Sequence, residues 1–532
     1  MRLSFPSTVR TVPGPGKLIA LAAVAAISTG MISQHSFGQA FSAGDVVVSQ
    51  INYVGADPTN SVVQGIVNGD LAAGNSGNTF ADLFNNPNIP GVQGTETLSE
   101  FSTANVESNA AVANLQNTIN LPAPATADTG TGLTGSFSSK SEGALMTSTN
   151  GQYLTMIGYQ APAGAIGVSN SYTPGAVPNP FPSNATTDVL YNRAIEEIGS
   201  NGSYVTGAVL NDAYSGDNAR AAISVNGQQF YTVGNADGGY PNTVESLGAR
   251  YSTLGATTST LLGAYNPTPD KYDNFRAEQI FNNTLYVAKG SGGKGIDGIF
   301  QVGTSGTLPT TSGNAITALP GLTFTAKTSN FHPFGFFFAN ANTLYVADEG
   351  APTAPTTNGP GTITNSTEAG LQKWSFNSST QQWMLDYVMT NGLDLNTLKP
   401  VSGYTYTDAA GKTETVYSAV TGLRNMTGVV NADGTVTIYA ITGNTSIISG
   451  GEPDPTSLVS ITDPLSAMTL SASSQYDTFS TLATSSVGDV FRGVAMAPSV
   501  PISSVPDPAA LALLSFGAIG AMFPRRRGTI TQ

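Results

Sequence analysis

Residues 340–350 read NANTLYVADEG: a polar turn, a short run suited to a buried strand with tyrosine at its centre, and a closing glycine turn. The same plan recurs in NGQYLTMIGY at 150–159, NGQQFYTVG at 226–234, NNTLYVAKG at 282–290 and DGTVTIYAITG at 433–443. Short Val, Ile, Tyr, Phe and Thr runs between Asn-Gly, Asp-Gly and Gly-Gly turns mark antiparallel strands joined tightly. Upstream of each copy lies another short apolar strand, as in RAAISV or RAEQIF. Downstream of several lies a third: GIFQVGT at 298–304, GLQKWSF at 370–376 and SLVSITD at 457–463. Such units, repeated over a chain of this size, predict an all-β protein, a β-propeller whose blades pack face to face around an axis.

Equivalent positions at the start of the first strands are Glu142 in KSEGALM, Arg220 in DNARAAI, Arg276 in DNFRAEQI, His332 in NFHPFGF, Arg424 in TGLRNMTG and Arg492 in DVFRGVAM. Six occurrences predict six blades, with seven the alternative if a degenerate copy lies in a long gap. The spacings of 78, 56, 56, 92 and 68 residues exceed the roughly 40–50 of compact propeller repeats. Insertions are therefore expected, for example around 390–420. The last copy, FRGVAMAP at 491–498, has no partner strands after it. GDVVVSQINYVG at 44–55 and ETLSEFS at 96–102 are expected to join it, closing the ring without an open sheet edge. Residues 41–504 then form one domain.

Composition agrees. Charged residues are 10% of the 532, against about 25% in soluble domains, which argues against coiled coils and charge-rich bundles. The absence of cysteine excludes a disulfide scaffold, thiolate metal sites and a cysteine nucleophile. An apolar fraction of 40% argues against charge-driven disorder.

The two ends read as addresses. Residues 1–17 carry Arg2, Arg10 and Lys17 without an acid, residues 18–32 are apolar, and Gly38-Gln39-Ala40 precedes Phe41. This is the layout of a secretory signal peptide over 1–40, cleaved after Ala40. At the other end, Val505-Pro506-Asp507-Pro508 precedes an apolar stretch at 509–523 and then Arg525-Arg526-Arg527. Residues 505–532 resemble the PEP-CTERM sorting signal of Gram-negative bacteria, also known as the ice-binding protein C-terminal domain, with Asp507 where that family usually has Glu. The resemblance implies a sorting protease that acts near the tripeptide, and delivery to the envelope, cell surface or extracellular matrix. Before cleavage, the short helix would hold the chain transiently in the inner membrane, with its arginines inside. Without its ends, the span 41–504 carries 14 Lys+Arg against 33 Asp+Glu, a net charge of −19. That excludes nucleic acid as a partner, which needs a basic surface.

The first strand of a propeller blade lines the central channel, so Glu142, Arg220, Arg276, His332, Arg424 and Arg492 are expected to converge as a positive ring. Four of the six arginines in 41–504 fall on this position, and its one histidine on a fifth. The ring could hold a carboxylate, a sulfate or a uronic acid by bidentate contacts. A structural reading competes with that one. Asp217, Asp273 and Asp489 lie three residues before Arg220, Arg276 and Arg492, and Asp-x-x-Arg units can close as local ion pairs. Catalysis lacks a motif. His332 has no nucleophile signature beside it, and nothing selects a carboxylate pair from Glu142, Glu278, Asp348 and Glu349. Asn235-Ala236-Asp237-Gly238, Asp348-Glu349-Gly350 and Asn431-Ala432-Asp433-Gly434 read as turns, with weak calcium ligation the alternative. No phosphate loop, zinc motif or dinucleotide fingerprint occurs. The expected role is an exported, non-enzymatic structural or binding protein that contacts exopolysaccharide, acidic polysaccharide or surface proteins. The alternative is a polysaccharide lyase or glycoside hydrolase working at the channel mouth.

Overall fold

Each copy of the repeated plan is a strand in the computed structural model: Tyr153–Tyr159, Gln229–Gly234, Thr284–Lys289, Thr343–Asp348 and Thr435–Ser446. The structure describes residues 35–36 and 39–499, leaving out 56–91, 104–114, 128–130, 138, 178–188, 238–242, 266–272, 291–294, 326–329, 408–410, 447–454 and 472–475. The turn chemistry works as the sequence requires. The strands Ala277–Phe281 and Thr284–Lys289 are joined by Asn282 and Asn283 alone. Both asparagines take positive φ, at 46° and 55°, a conformation that favours Asn or Gly in a two-residue hairpin. The repeated strands lie inside their sheets and between neighbouring sheets, so Thr343–Asp348 is buried at every position. That double burial explains apolar runs instead of strict alternation.

The strand Ala219–Ser224 leads a four-stranded sheet through Gln229–Gly234 and Gly248–Thr253 to Thr260–Leu261. The next runs from Ala277–Phe281 through Thr284–Lys289 and Ile296–Val302 to Asn314–Thr325, and gains Gly263–Ala264 at its edge. A third comprises Pro333–Asn340, Thr343–Asp348, Gly370–Asn377 and Gln382–Met389. A fourth runs from Thr413–Val430 through Thr435–Ser446 and Ser457–Pro464 to Ser480–Thr484. The insertion expected around 390–420 is a β-arm on this sheet, where Thr397–Thr407 pairs with the first part of Thr413–Val430.

The remaining strands form one continuous sheet. Thr134–Ser136 pairs with Gln93–Phe101 on one side and Tyr153–Tyr159 on the other, fusing two groups that six blades would keep apart. The described strands therefore fall into five sheets. The first strands Met146–Thr147, Ala219–Ser224, Ala277–Phe281, Pro333–Asn340, Thr413–Val430 and Asp489–Met496 each pack on the next, and the last packs on the first. The protein is all-β, and its sheets are arranged as a β-propeller. Closure follows the expected route: Val46–Asn52 lies between Asp489–Met496 and Gln93–Phe101, with Val48 opposite Val494 and Ser99. Val46, Val48, Phe101, Phe491 and Val494 are buried together there, each worth roughly 1.5–3 kcal/mol in apolar burial.

Where sheets meet near the channel their backbones nearly touch. A Cβ on Gly290 would lie 2.1 Å from Pro333 O, and one on Gly493 would lie 2.2 Å from Leu145 N. Only glycine permits that approach.

Candidate functional site

The repeat position is set by breaks in the strands. Arg220 is skipped in the pairing between Ala219 and Ala221, Arg424 lies in the irregularity between Leu423 and Met426, and Arg492 is skipped between Phe491 and Gly493. A bulge leaves one residue unpaired and re-aims its side chain. Arg276 and His332 immediately precede Ala277–Phe281 and Pro333–Asn340. Glu142 lies in the turn before Met146–Thr147 rather than on the strand.

Glu349, which follows Thr343–Asp348, is where Arg276, Arg424 and Lys140 meet. Its Oε1 is bonded by Arg276 Nη1, and its Oε2 faces Arg424 Nε at 3.4 Å and Lys140 Nζ at 3.9 Å. Burial alone would raise this carboxyl, but Arg276, Lys140, Arg424 and His332 together hold it down to about 2. Arg276 also lies over the Phe334 ring, 5.2 Å from its centroid. Arg220 donates to Asn274 Oδ1 and, at 2.9 Å, to Phe275 O. Burial and the nearby Arg276 guanidinium lower it to about 10, against the pull of Asp217 and Glu142. Arg220 Nε has no hydrogen-bond partner among the described residues.

Glu142 accepts the Tyr159 hydroxyl at 2.7 Å, the Ser136 N–H at 3.0 Å and the Asn218 side chain at 2.5 Å. Burial raises its carboxyl, opposed by those bonds and by Arg492. Arg492 itself donates to Phe137 O. Beside them stands Glu96, pushed to about 8 by burial against the pull of Arg492. The His332 backbone N–H donates to Asp348 Oδ2 at 2.7 Å. Asp348 is fully buried and its carboxyl is raised well above the usual range by burial. Of the four carboxylates considered for catalysis, Glu142, Asp348 and Glu349 join this cluster. Glu278 is enclosed where its charge acts on Tyr214 and Tyr231.

Arg276 is ion-paired with Glu349 from the following sheet; within the Asp-x-x-Arg units, Asp273 accepts the Tyr265 N–H at 2.7 Å and Asp217 the Asn218 N–H at 2.8 Å, and the Asp217 charge acts on Arg220. Lys140 and Glu96 had no repeat signal to reveal them. Arg193, outside the ring, is fully buried and donates to the carbonyls of Tyr191, Ser171, Tyr214 and Asp217, a structural task.

The result is a cluster of Lys140, Arg220, Arg276, Arg424 and Arg492 among four buried carboxyls, those of Glu96, Glu142, Asp348 and Glu349. The four arginines are 3–6% exposed, whereas the Lys140 side chain is 39% exposed. A described cleft of about 250 Å³ lies elsewhere, lined by Asp394, Lys399, Asn444 and Thr484; its walls hold no comparable charge cluster, so the ring has the stronger chemistry. Among the described residues no group of three His, Asp or Glu gathers as a metal site. Asp433 spends Oδ1 on the Thr435 N–H and hydroxyl, at 3.0 and 2.8 Å, closing a turn. No described helix is long and apolar enough to cross a membrane. The expected signal segment before residue 35 and the residues expected to form a sorting signal, Val505, Pro506, Asp507, Pro508, Arg525, Arg526 and Arg527, lie outside the described residues.

No family model matches the chain, and no curated protein matches it. Among solved structures it is similar to a crystal structure of a Bacteroides uniformis protein provisionally assigned as a 6-phosphogluconolactonase. The identity is 11% and the TM-score 0.30, over 78% of this chain and 99% of that one.

Proposed function

We propose that this protein is an exported, non-enzymatic propeller of six blades that binds an acidic polysaccharide of the cell surface or matrix at its cation cluster. The observation that carries the reading is the collection of five Lys and Arg side chains around Glu349 and Glu142, in a span whose net charge is −19. A carboxylate or sulfate reaching the edge marked by Lys140 would meet a field opposite to that of the rest of the surface. Lys140, with its side chain 39% exposed, is the member a ligand would touch, and the buried arginines contribute through their field. Catalysis fits less well, because a general acid or base must itself reach the substrate, and Glu96, Glu142, Asp348 and Glu349 are all at most 7% exposed. The resemblance of residues 505–532 to the PEP-CTERM signal adds the route: export, transient holding in the inner membrane, and release by a sorting protease.

The test is binding of the full-length protein to alginate, a uronic acid polymer, and to neutral dextran. Alginate retention that falls at least tenfold in Lys140→Glu and Arg220→Gln, with dextran ignored, supports the reading. Equal retention of both polymers, or unchanged retention by both variants, overturns it.

A further inference from the structure

Strand register places Tyr345, Lys373 and Tyr387 side by side on adjacent strands of one sheet, Tyr345 opposite Lys373 and Lys373 opposite Tyr387. All three converge on Asp463 of the next sheet. Lys373 Nζ is 2.7 Å from Asp463 Oδ2, and both side chains are fully buried. The Tyr345 hydroxyl donates to Oδ2 and the Tyr387 hydroxyl to Oδ1. Pro464 O takes a further Lys373 proton at 2.8 Å. Asp477, 4% exposed and held at a positive φ of 57°, lies beside Asp463, its N–H donating to Thr462 O at 3.0 Å. Burial, opposed by the Ser471 N–H, and the neighbouring Asp463 keep its proton up to about 6.

From this geometry we infer that Lys373 and Asp463 condense spontaneously into an intramolecular amide that covalently ties the two sheets. An amine 2.7 Å from one carboxyl oxygen stands close to the roughly 3–3.5 Å near-attack separation from its carbon. The Nζ–Cγ bond forms and one Cγ–O bond breaks. Of the three ammonium protons, two leave with that oxygen as water and one stays on the amide nitrogen, where Pro464 O can accept it. Asp477 relays the proton from nitrogen to the leaving oxygen. The two phenols stabilise the oxyanion of the tetrahedral intermediate. No oxidant, metal or cofactor enters the balance. The bond would close a loop of 90 residues in a chain without cysteine, restricting the unfolded state as a disulfide does.

Lys289 and Asp297 provide an internal comparison. They are similarly buried and 3.0 Å apart, but burial raises the Asp297 carboxyl against Lys289, His332 and Arg276, whereas Asp463 meets two phenols. Lys289 and Asp297 remain an ion pair.

Proteolytic digestion of the full-length protein followed by mass spectrometry tests the inference. The expected result is one branched peptide joining Lys373 to Asp463, lighter than the two parent peptides by one water, with trypsin failing to cut after Lys373. Lys289 and Asp297 should give ordinary peptides. Asp477→Asn should show the unjoined peptides while keeping a cooperative unfolding transition, and Lys373→Arg should show no branch. Full-mass peptides from both Lys373 and Asp463 in the unaltered protein overturn the inference, whether or not the variants fold. A branch of undiminished yield in Asp477→Asn overturns the proton relay.

Discussion

Arg276 and Glu349 are ion-paired across a junction between neighbouring sheets, although 73 residues separate them along the chain. Because Glu349 also faces Arg424 from the sheet beyond, one carboxylate joins three successive sheets. Removing it takes from Arg276 and Arg424 the carboxylate they share, and breaking such a buried pair costs about 3–5 kcal/mol. Glu349→Ala should therefore lower the urea midpoint sharply, with Glu349→Gln in between. Midpoints equal to that of the unaltered protein would show that the pairing contributes nothing.

Stability should depend on pH in two opposed ways. Glu349, held at about 2 against an ordinary 4.5, adds stability that is present above about pH 4.5 and lost as pH falls toward 2. Glu96 and Glu196, pushed up by burial to about 8 and about 7, contribute fully below about pH 4.5. That contribution is lost as pH rises through 7 to 8. Thermal midpoints measured from pH 3 to 9 should peak near pH 5 and fall on both sides. Glu96→Gln should flatten the alkaline limb by on the order of 3–5 kcal/mol.

Ser49 sits at the closure of the ring. Its hydroxyl donates to Gly143 O at 2.5 Å and accepts the Gly493 N–H at 2.7 Å. Ser49→Ala strands both buried groups and should cost about 1–3 kcal/mol, seen as a lower unfolding midpoint. A chain starting at residue 56 loses the whole strand Val46–Asn52 and exposes Asp489–Met496 as an open edge. Size-exclusion chromatography should find that chain aggregated.

Lys289 and Asp297 should behave as a buried pair whose halves depend on each other. Asp297→Ala leaves a buried ammonium and should destabilise by about 3–5 kcal/mol, whereas the double change to Met and Leu should be neutral or stabilising. Chemical denaturation of the three variants decides the point, and an additive result would mean the charges do not interact.

Much of the fold was legible because its signals are local. Short apolar runs, Asn-Gly, Asp-Gly and Gly-Gly turns and a recurring strand with a central aromatic need only a few residues each, and they located the repeated strands and the strands that close the ring. The ring position was legible as a recurrence, although its cause was not. Arg220, Arg424 and Arg492 point together because bulges interrupt their strands, and a bulge depends on pairing with a partner strand.

Sequence alone therefore determined the repeat, the sheet-forming segments and the clustering of arginine at one position, all of which follow from short-range periodicity and turn chemistry. It could not select Glu349 from 33 acids in the span 41–504, or reveal that Lys140 reaches the same carboxylate. Nor could it bring Lys373 to Asp463 across 90 residues. Those choices belong to the tertiary structure, because closing the ring decides which distant side chains share a buried space. Inside that space an unpaired charge is costly enough to make each partner specific.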